Sequence, residues 1–314
     1  MSSPKKSTDG KMEVKCWGEG WGLPSLDPDC LSVIAYANLA KAPIEVVPAL
    51  PKDTITGSLP ELQIDEFIYP RAFTIIGIFR REGYNADYSL SQSENADTLA
   101  FLSYIEQKLK PAILYSLWID VRNFNKVTRP AYGKACGFPW SLWYPSRLVK
   151  SYTNQLWLSK GGESFTCIKE VEKVIYKDAH DCLNVLESRM SSTDYFFGDF
   201  PTTIDAVLYG HLAVLLHAPL VSTELQNHLN SCDKLRAFCA RMSLFCPSSS
   251  SLPTQVKSNS EDQIINRDKI ISIAVAVTAM LVYALTSGVL TARRSKLATK
   301  LKQLNEFDEF EQMD

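Results

Sequence analysis

Short apolar runs broken by Gly and Pro fill the first part of the chain, a pattern typical of β-strands. The predicted strands are residues 13–17, 44–47, 59–64 and 67–69. Asp27 followed by Pro28 predicts a helix after the first strand, and Pro70 predicts the start of another. Residues 48–58 are too few and too Pro-rich for a full helix. The resulting order, β-α-β-loop-β-β-α, is that of a thioredoxin-like domain, in which Leu59–Pro60 has the position of a cis-proline bond.

From Asp87 onward the pattern becomes helical, with apolar residues three or four apart. The predicted helices are residues 95–120, kinked at Pro111, and then 141–159, 165–190, 203–216 and 224–245. Thr202 and Asp205 have the spacing of a capping box at the start of the fourth helix. That helix is apolar almost all round, so we expect it at the centre of a helical domain. The predicted fold class is α+β followed by all-α.

A later stretch, Ile270 to Ala292, carries no formal charge. At about 1.5 Å per helical residue it would extend roughly 34 Å, enough to cross a bilayer core. Basic residues flank it, from Arg267 and Lys269 on one side and from Arg293 and Arg294 on the other. Its modest hydrophobicity, these flanks and its position near the C-terminus predict a tail anchor in the mitochondrial outer membrane.

Composition narrows the function further. Hydrophobic residues make up 46% of the chain and the net charge is −2, which suits a globular core and argues against a nucleic-acid partner. The N-terminal residues lack the apolar run of a secretory signal. Eight cysteines contain no CxxC pair, and four histidines show no metal-binding spacing. We therefore expect free thiols and neither a metal site nor a cofactor.

Large aromatic residues are concentrated in the middle of the helical part. They are Trp118, Phe124, Tyr132, Phe138, Trp140, Trp143, Tyr144 and Trp157. Packing between helices is one interpretation. For Trp140, Trp143 and Tyr144, which lie between Pro139 and Pro145, an interface is the alternative, because exposed aromatics of this kind often dominate binding. We expect these three residues to contact a partner protein or the membrane surface.

Several ordered motifs resemble one known family. They are Cys16-Trp17-Gly18, Trp21-Gly22-Leu23-Pro24-Ser25, Ala35-Tyr36-Ala37, Tyr84-Asn85-Ala86-Asp87-Tyr88, Ala96-Asp97-Thr98-Leu99-Ala100, Trp118-Ile119-Asp120, Phe196-Phe197-Gly198-Asp199 and, in the predicted anchor, Tyr283-Ala284-Leu285. The thioredoxin-like half, the helical half and the capping box resemble a glutathione transferase. The motifs themselves resemble the metaxin family, closest to its tail-anchored metaxin 1 type.

The resemblance implies a function without catalysis. Metaxins are outer-membrane proteins whose folded domains face the cytosol. They support the import and insertion of β-barrel proteins, together with a second metaxin of the metaxin 2 type and the β-barrel subunit of the sorting and assembly machinery. The resemblance thus implies protein partners and membrane lipid, with no catalytic or cofactor-binding residue.

A membrane-anchored glutathione transferase or glutathione-binding protein is the alternative. Such an enzyme needs a hydroxyl or thiol in the first loop, for which Ser25 and Cys30 are the candidates, yet no base is nearby in the sequence to activate either. A glutathione transferase also has a serine, after the cis-proline in the sequence, that binds the γ-glutamyl end of glutathione. At the corresponding place this chain has Tyr69-Pro70 followed by Arg71. Proline offers neither a hydroxyl nor an amide hydrogen.

The expected organisation has six parts. They are a disordered segment 1–12, a thioredoxin-like domain 13–86, an all-helical domain 87–247 similar to the C-terminal domain of glutathione transferases, a linker 248–269, the transmembrane helix 270–292 and a polar tail 293–314.

Overall fold

The computed structural model describes residues 12–159, 168–190 and 193–247, together with residues 276, 278–280 and 283. Four strands and eleven α-helices are found in this part of the chain. The strands are β1 (Met12–Cys16), β2 (Ile44–Pro48), β3 (Glu61–Ile64) and β4 (Phe67–Pro70). The helices are α1 (Pro28–Ala40), α2 (Ala72–Arg81), α3 (Gln92–Tyr104), α4 (Lys110–Leu114), α5 (Val121–Asn123), α6 (Arg129–Cys136), α7 (Tyr144–Ser159), α8 (Ile168–Arg189), α9 (Thr203–His217), α10 (Glu224–Ser231) and α11 (Asp233–Ser243).

The strands form one mixed sheet in the order β2-β1-β3-β4. β1 pairs parallel with β2 and antiparallel with β3, and β3 pairs antiparallel with β4. Alternate residues of β1 are buried, as expected for a sheet with one face against the core. The Leu59–Pro60 bond is cis, as predicted. A short 3-10 turn, Pro51–Asp53, replaces a second helix, also as predicted.

The start of α2 differs from the prediction. Pro70 does not open this helix, because it belongs to β4, where it pairs with Glu61. Arg71 makes the turn instead, with φ 68° and ψ 135°, and α2 begins at Ala72. A positive φ is uncommon for a residue with a Cβ and is found where surrounding structure enforces it.

The long helical run is more complex than one helix kinked at Pro111. A π-helical turn, Ile105–Leu109, immediately precedes α4, and Pro111 lies in the first turn of α4, where its missing N–H is tolerated. A second π-helical turn, Tyr115–Ile119, follows. The helices α5 and α6 were not predicted. Asp120, which accepts a hydrogen bond from the backbone N–H of Arg122, caps α5.

α9 lies at the centre of the helical part, as its apolar sequence predicts. Asp205 accepts hydrogen bonds from the backbone N–H and the hydroxyl of Thr202, each 2.8 Å long. α9 also packs closely against α1 of the α/β domain, where the Ser32 hydroxyl donates to Val207 O at 3.3 Å. Tyr132 of α6 adds a second link, because its hydroxyl donates to Leu26 O at 3.0 Å.

The last predicted helix, residues 224–245, is in fact two helices that break at Cys232. Cys232 has φ −89° and ψ 86°, outside the helical region. Glu187 of α8 accepts hydrogen bonds from the backbone N–H groups of Lys234 and Leu235 at 3.1 and 3.0 Å, and so caps the new helix α11. The evenly spaced thiols of Cys232, Cys239 and Cys246 are therefore not on one helix, and all three are buried and free.

The chain divides into two compact units, residues 1–253 and 254–314. The elements above all belong to the first. In the second, Ala276, Thr278, Ala279, Met280 and Tyr283 are helical. Among the described residues, no helix has both the length and the apolarity that crossing a membrane requires. The predicted linker 248–269 and tail 293–314 lie outside the described residues, as does most of the predicted span 270–292. Of the segment 1–12, predicted to be disordered, only Met12 is described, and there the prediction is wrong, because Met12 begins β1 and pairs with Ile44 and Ile64.

A candidate ligand cleft

A cleft of about 740 Å³ lies between the α/β domain and the helices that follow it. Its α/β wall comprises Trp17, the first turn of α1 and the segment around Leu59 and Arg71. Its helical wall comprises residues of α4 and of α7, including Lys110 and Tyr152. Residues from distant parts of the sequence thus face one another across a space large enough for a small ligand.

Lys110 forms ion pairs with two acids in this cleft. Its ammonium donates to Asp29 Oδ2 at 2.9 Å and to Glu106 Oε1 at 2.8 Å. Glu106 and Lys110 are four residues apart on one helical run, and Asp29 comes from the first turn of α1. His211 of α9 completes the group, with its Nε2 3.9 Å from Asp29 Oδ1. The lysine side chain is only 15% exposed, whereas those of Asp29 and Glu106 are 30% and 40% exposed, so solvent reaches these ion pairs from the side of the acids.

The charges shift the pKa values of their neighbours. Burial alone would raise the pKa of Asp29, but the attraction of Lys110 and His211 outweighs it and the pKa lies below its ordinary value. Burial alone would lower the pKa of Lys110, but Asp29 and Glu106 outweigh it and raise the pKa. Burial lowers the pKa of His211, and the negative charge of Asp29 opposes that shift. Burial together with Asp29 raises the pKa of Asp27 to about 6.

The cluster of Asp29, Glu106 and His211 has the residue types of a metal site, and their ligand atoms lie within 4.8 Å of one another. The Lys110 ammonium, however, already bonds both carboxylates. A divalent ion would have to displace it or lie beside its positive charge. Because of this, the cluster fits an ion-pair network better than a metal centre.

Neither predicted nucleophile reaches the cleft. Ser25 and Cys30 are both completely buried, and neither is among the residues that line it. Burial, with a contribution from the neighbouring Cys16, raises the pKa of the Cys30 thiol well above its ordinary value. A thiol in that state is protonated at pH 7 and is a poor nucleophile.

At the start of α2, where a transferase offers a serine hydroxyl directly after the turn, the cleft is lined by Arg71, Ala72, Phe73 and Thr74, and of these four only Thr74, farther along the helix, has a hydroxyl. No side chain caps the first turn of this helix. Ala72 and Phe73 have no polar side-chain atoms, and the Arg71 side chain can only donate hydrogen bonds. The arrangement provides a cleft with fixed charges but none of the activated groups that the sequence analysis considered for catalysis.

Sequence reasoning missed the residues that give the cleft its charge. Only Glu106 and Lys110 carry a local signal, because an acid followed by a lysine four residues later is a favourable helical pair. Asp29 lies in the first turn of α1, far from Lys110 in the sequence, and no local pattern indicates that the two residues pair. His211 and Arg71 approach the site only after the chain folds.

Comparisons with known proteins identify the family. Residues 30–149 match a family model described as an outer mitochondrial membrane transport complex protein, and residues 179–242 match one described as a glutathione S-transferase C-terminal domain. Metaxin-1 of Mus musculus is 38% identical over 296 residues, covering 91% of this chain and 93% of that protein. The chain belongs to the metaxin family. Metaxin-3 of Xenopus laevis is also similar, at 40% identity over 233 residues, covering 73% of this chain and 74% of that protein.

Solved structures show which fold this metaxin has. A glutathione transferase of Phanerochaete chrysosporium aligns with a TM-score of 0.51 at 12% identity, covering 75% of this chain and 97% of that one. A glutathione S-transferase of Ceriporiopsis subvermispora, solved in complex with glutathione, aligns with a TM-score of 0.52 at 11% identity, covering 78% of this chain and all of that one. This metaxin therefore has the glutathione-transferase-like fold that the sequence predicts, with a thioredoxin-like domain followed by a helical one.

Of the predicted interface residues of this metaxin, Trp140 and Trp143 lie between α6 and α7 and Tyr144 begins α7, and none of the three lines the cleft. Trp143 is 44% exposed, whereas Trp140 is partly buried and Tyr144 is only 7% exposed. The rings of Trp140 and Trp143 are 5.2 Å apart between centroids. Phe138 and Leu142, which the sequence analysis did not select, are more exposed than all three. An interface here remains a prediction, with Trp143, Phe138 and Leu142 as its accessible side chains.

Proposed function

We propose that this metaxin is a non-enzymatic subunit of the sorting and assembly machinery of the mitochondrial outer membrane. In this role it supports the import and insertion of β-barrel proteins through protein–protein contacts. The observation that carries the proposal is the similarity to metaxin-1, which extends over 91% of the chain at 38% identity. Its partners are a second metaxin, of the metaxin 2 type, and the β-barrel subunit of the machinery.

Co-purification tests this role. An epitope-tagged full-length chain is expressed in cells, the membranes are solubilised in a mild detergent, and the bound proteins are identified by mass spectrometry. The β-barrel subunit and a second metaxin should be enriched over a control, a tagged tail-anchored protein of the same membrane. Recovery of the tagged chain from the membrane without either subunit would refute the proposal.

Residues 270–292 are the proposed anchor, and residues 13–86 and 87–247 are the proposed cytosolic domains. The uncharged sequence of residues 270–292 supports the anchor, and the resemblance to the metaxin family is the ground for the cytosolic orientation of the two domains. The full-length chain should resist extraction by alkaline carbonate. Protease added to intact mitochondria should degrade its folded domains. Release by carbonate would contradict the anchor, and protection of the domains from protease would contradict the orientation.

A glutathione-dependent enzyme is the alternative, which the fold favours. The burial of Ser25 and Cys30 and the absence of a hydroxyl on Arg71, Ala72 and Phe73 weigh against it. The purified full-length chain should therefore neither bind glutathione in calorimetry nor conjugate it to a model electrophile above the uncatalysed rate. Conjugation at the rate of an authentic transferase, assayed in parallel, would establish the enzyme instead.

A further inference from the structure

The loop between α6 and α7, residues 137–143, exposes three large apolar side chains close together in sequence. Phe138 is 62% exposed, Leu142 is 63% exposed and Trp143 is 44% exposed. Trp140 holds the loop against the body of the protein, with the Lys52 ammonium 4.4 Å from the centroid of its ring. We call residues 137–143 the aromatic loop. Exposed apolar side chains gathered in this way mark a surface that binds something.

The backbone of the aromatic loop is largely hydrogen-bonded within the loop. Ser141 N–H donates to Gly137 O at 2.8 Å, Leu142 N–H to Pro139 O at 3.3 Å and Trp143 N–H to Trp140 O at 3.4 Å. The N–H groups of Leu142 and Trp143 therefore have partners within the loop and do not depend on water. A turn of this kind loses little hydrogen bonding when it moves from water into a less polar environment.

Basic residues surround the aromatic loop. A groove of about 640 Å³ beside Phe138 is lined by Arg129 and Lys134, and no acidic residue is among its lining residues. Arg147 is exposed at the start of α7. Within the described residues, none of these three bases forms a salt bridge. Asp53 is near the loop as well, but it is paired with Lys52 at 3.0 Å. The surface is thus apolar at its tip and positively charged around it.

We propose that the aromatic loop docks onto the anionic surface of a phospholipid membrane. Phe138, Leu142 and Trp143 enter the interfacial region, and Arg129 and Lys134 contact lipid phosphate groups. Tryptophan is enriched at membrane interfaces, and basic residues beside it complement anionic headgroups. The match to the description of an outer-membrane protein places a membrane within reach. The proposal does not depend on the partners named above.

Hydrogen exchange of the full-length chain in nanodiscs tests the docking. Nanodiscs are made of phosphatidylcholine alone or with phosphatidylserine replacing part of it. Peptides that cover the aromatic loop should exchange more slowly in the anionic nanodiscs, and high salt should remove the difference. Brominated lipid chains should quench the tryptophan fluorescence of the wild type more than that of Trp143→Phe.

Variants show which residues are responsible. The double substitution Arg129→Gln/Lys134→Gln should lower the ratio of docked to undocked loop by about 25-fold, since each base near an anionic surface contributes a factor of about five. Leu142→Ser should also weaken docking. The matched control is Lys173→Gln/Lys177→Gln on α8, which removes the same charge from exposed positions elsewhere and should leave docking unchanged.

Three results would overturn the proposal. The first is equal exchange of the loop in both kinds of nanodisc. The second is an equal loss of protection in the α8 control, which would show that net charge and not this surface is responsible. The third is protection that appears only when mitochondrial proteins are added, which would assign the loop to a protein partner. Circular dichroism and thermal melting of each variant confirm that it is folded.

Discussion

Asp87 accepts two hydrogen bonds from Thr203, one from its backbone N–H and one from its hydroxyl, each 2.8 Å long. These bonds join the segment after α2 to the first turn of α9. Arg80 of α2 pairs with the same carboxylate and also donates to the Thr203 hydroxyl at 2.6 Å. Asp87 is only 5% exposed, so the three residues form a shielded network between parts of the chain that are far apart in sequence.

Asp87→Ala should lower the free energy of unfolding by about 2 to 4 kcal/mol, because the Arg80 guanidinium and the Thr203 N–H lose their acceptor. Urea denaturation followed by tryptophan fluorescence measures the change. The matched control is Asp199→Ala, an exposed carboxylate, which should change stability by less than about 0.5 kcal/mol. Equal effects of the two substitutions would show that the network contributes nothing.

Local sequence signals were sufficient for part of the fold. Asp27 and Pro28 specify the start of α1 through a cap and a fixed φ, and the capping box of Thr202 and Asp205 does the same for α9. No Gly or Pro marks the break at Cys232. A carboxylate from α8 caps the new helix there, a tertiary contact that a local pattern does not contain.

The cleft was harder to predict than the fold. Its fixed charges belong to α1, to α4 and the π-helical turn before it, and to the turn before α2. They meet only because α1 packs against the helices that follow. Periodicity identifies which face of a helix is buried, but not which distant helix covers it. The predicted aromatic interface shows the same limit, because Trp143 and Tyr144 are adjacent in sequence, yet one is exposed and the other is buried.

Gly210→Ala should destabilise the contact between α1 and α9. A Cβ at this position would lie 2.1 Å from Ser32 Oγ and 2.7 Å from Pro28 O, so the two helices would have to separate. We expect a loss of about 3 kcal/mol in the free energy of unfolding, measured by chemical denaturation.

Gly77→Ala on α2 is the control for Gly210→Ala. A Cβ at Gly77 would meet nothing within 4 Å outside the backbone of its own helix. The free energy of unfolding of this control should rise by up to about 1 kcal/mol, since alanine is a better helix former than glycine. A loss of stability in Gly77→Ala, or unchanged stability in Gly210→Ala, would contradict the close approach of α1 and α9.

Lys110→Met should destabilise the protein by about 2 to 4 kcal/mol at pH 7, because Asp29 and Glu106 are left as two neighbouring carboxylates without a counter-ion. The pKa of Asp29 is lowered in the fold, so this carboxylate contributes stability above its unfolded pKa and loses it as the pH falls. The variant lacks that contribution. The difference in the free energy of unfolding between wild type and variant should therefore narrow as the pH falls from 7, because Asp29 of the folded variant takes up its proton before Asp29 of the folded wild type does.

Lys108→Met is the matched control for Lys110→Met. Lys108 pairs with Asp178 at 3.0 Å, but its side chain is 39% exposed, so the pair is screened by solvent. We expect Lys108→Met to change the free energy of unfolding by less than about 1 kcal/mol at any pH. Denaturation curves of both variants at pH 7 and at acidic pH distinguish them, and a Lys110 effect as small as the control would show that the cleft network is not stabilising.

Asp205 should make stability depend on pH between about 4 and 6. Burial raises its pKa to about 6 from the ordinary 3.8, although hydrogen bonds from Phe196 and Thr202 oppose the rise. The folded state therefore binds this proton more readily than the unfolded state, and the wild type gains stability as the pH falls through this window.

The variant Asp205→Asn cannot take up this proton. The free energy of unfolding of the wild type should therefore rise relative to that of the variant by about 1.4 kcal/mol per pH unit as the pH falls. Urea denaturation across the window measures the difference in the free energy of unfolding. The exposed counterpart, Asp199→Asn, is measured in parallel as the control for the loss of one carboxylate. If the wild type instead loses stability relative to Asp205→Asn on acidification, the capping hydrogen bonds outweigh burial and hold the carboxylate ionised.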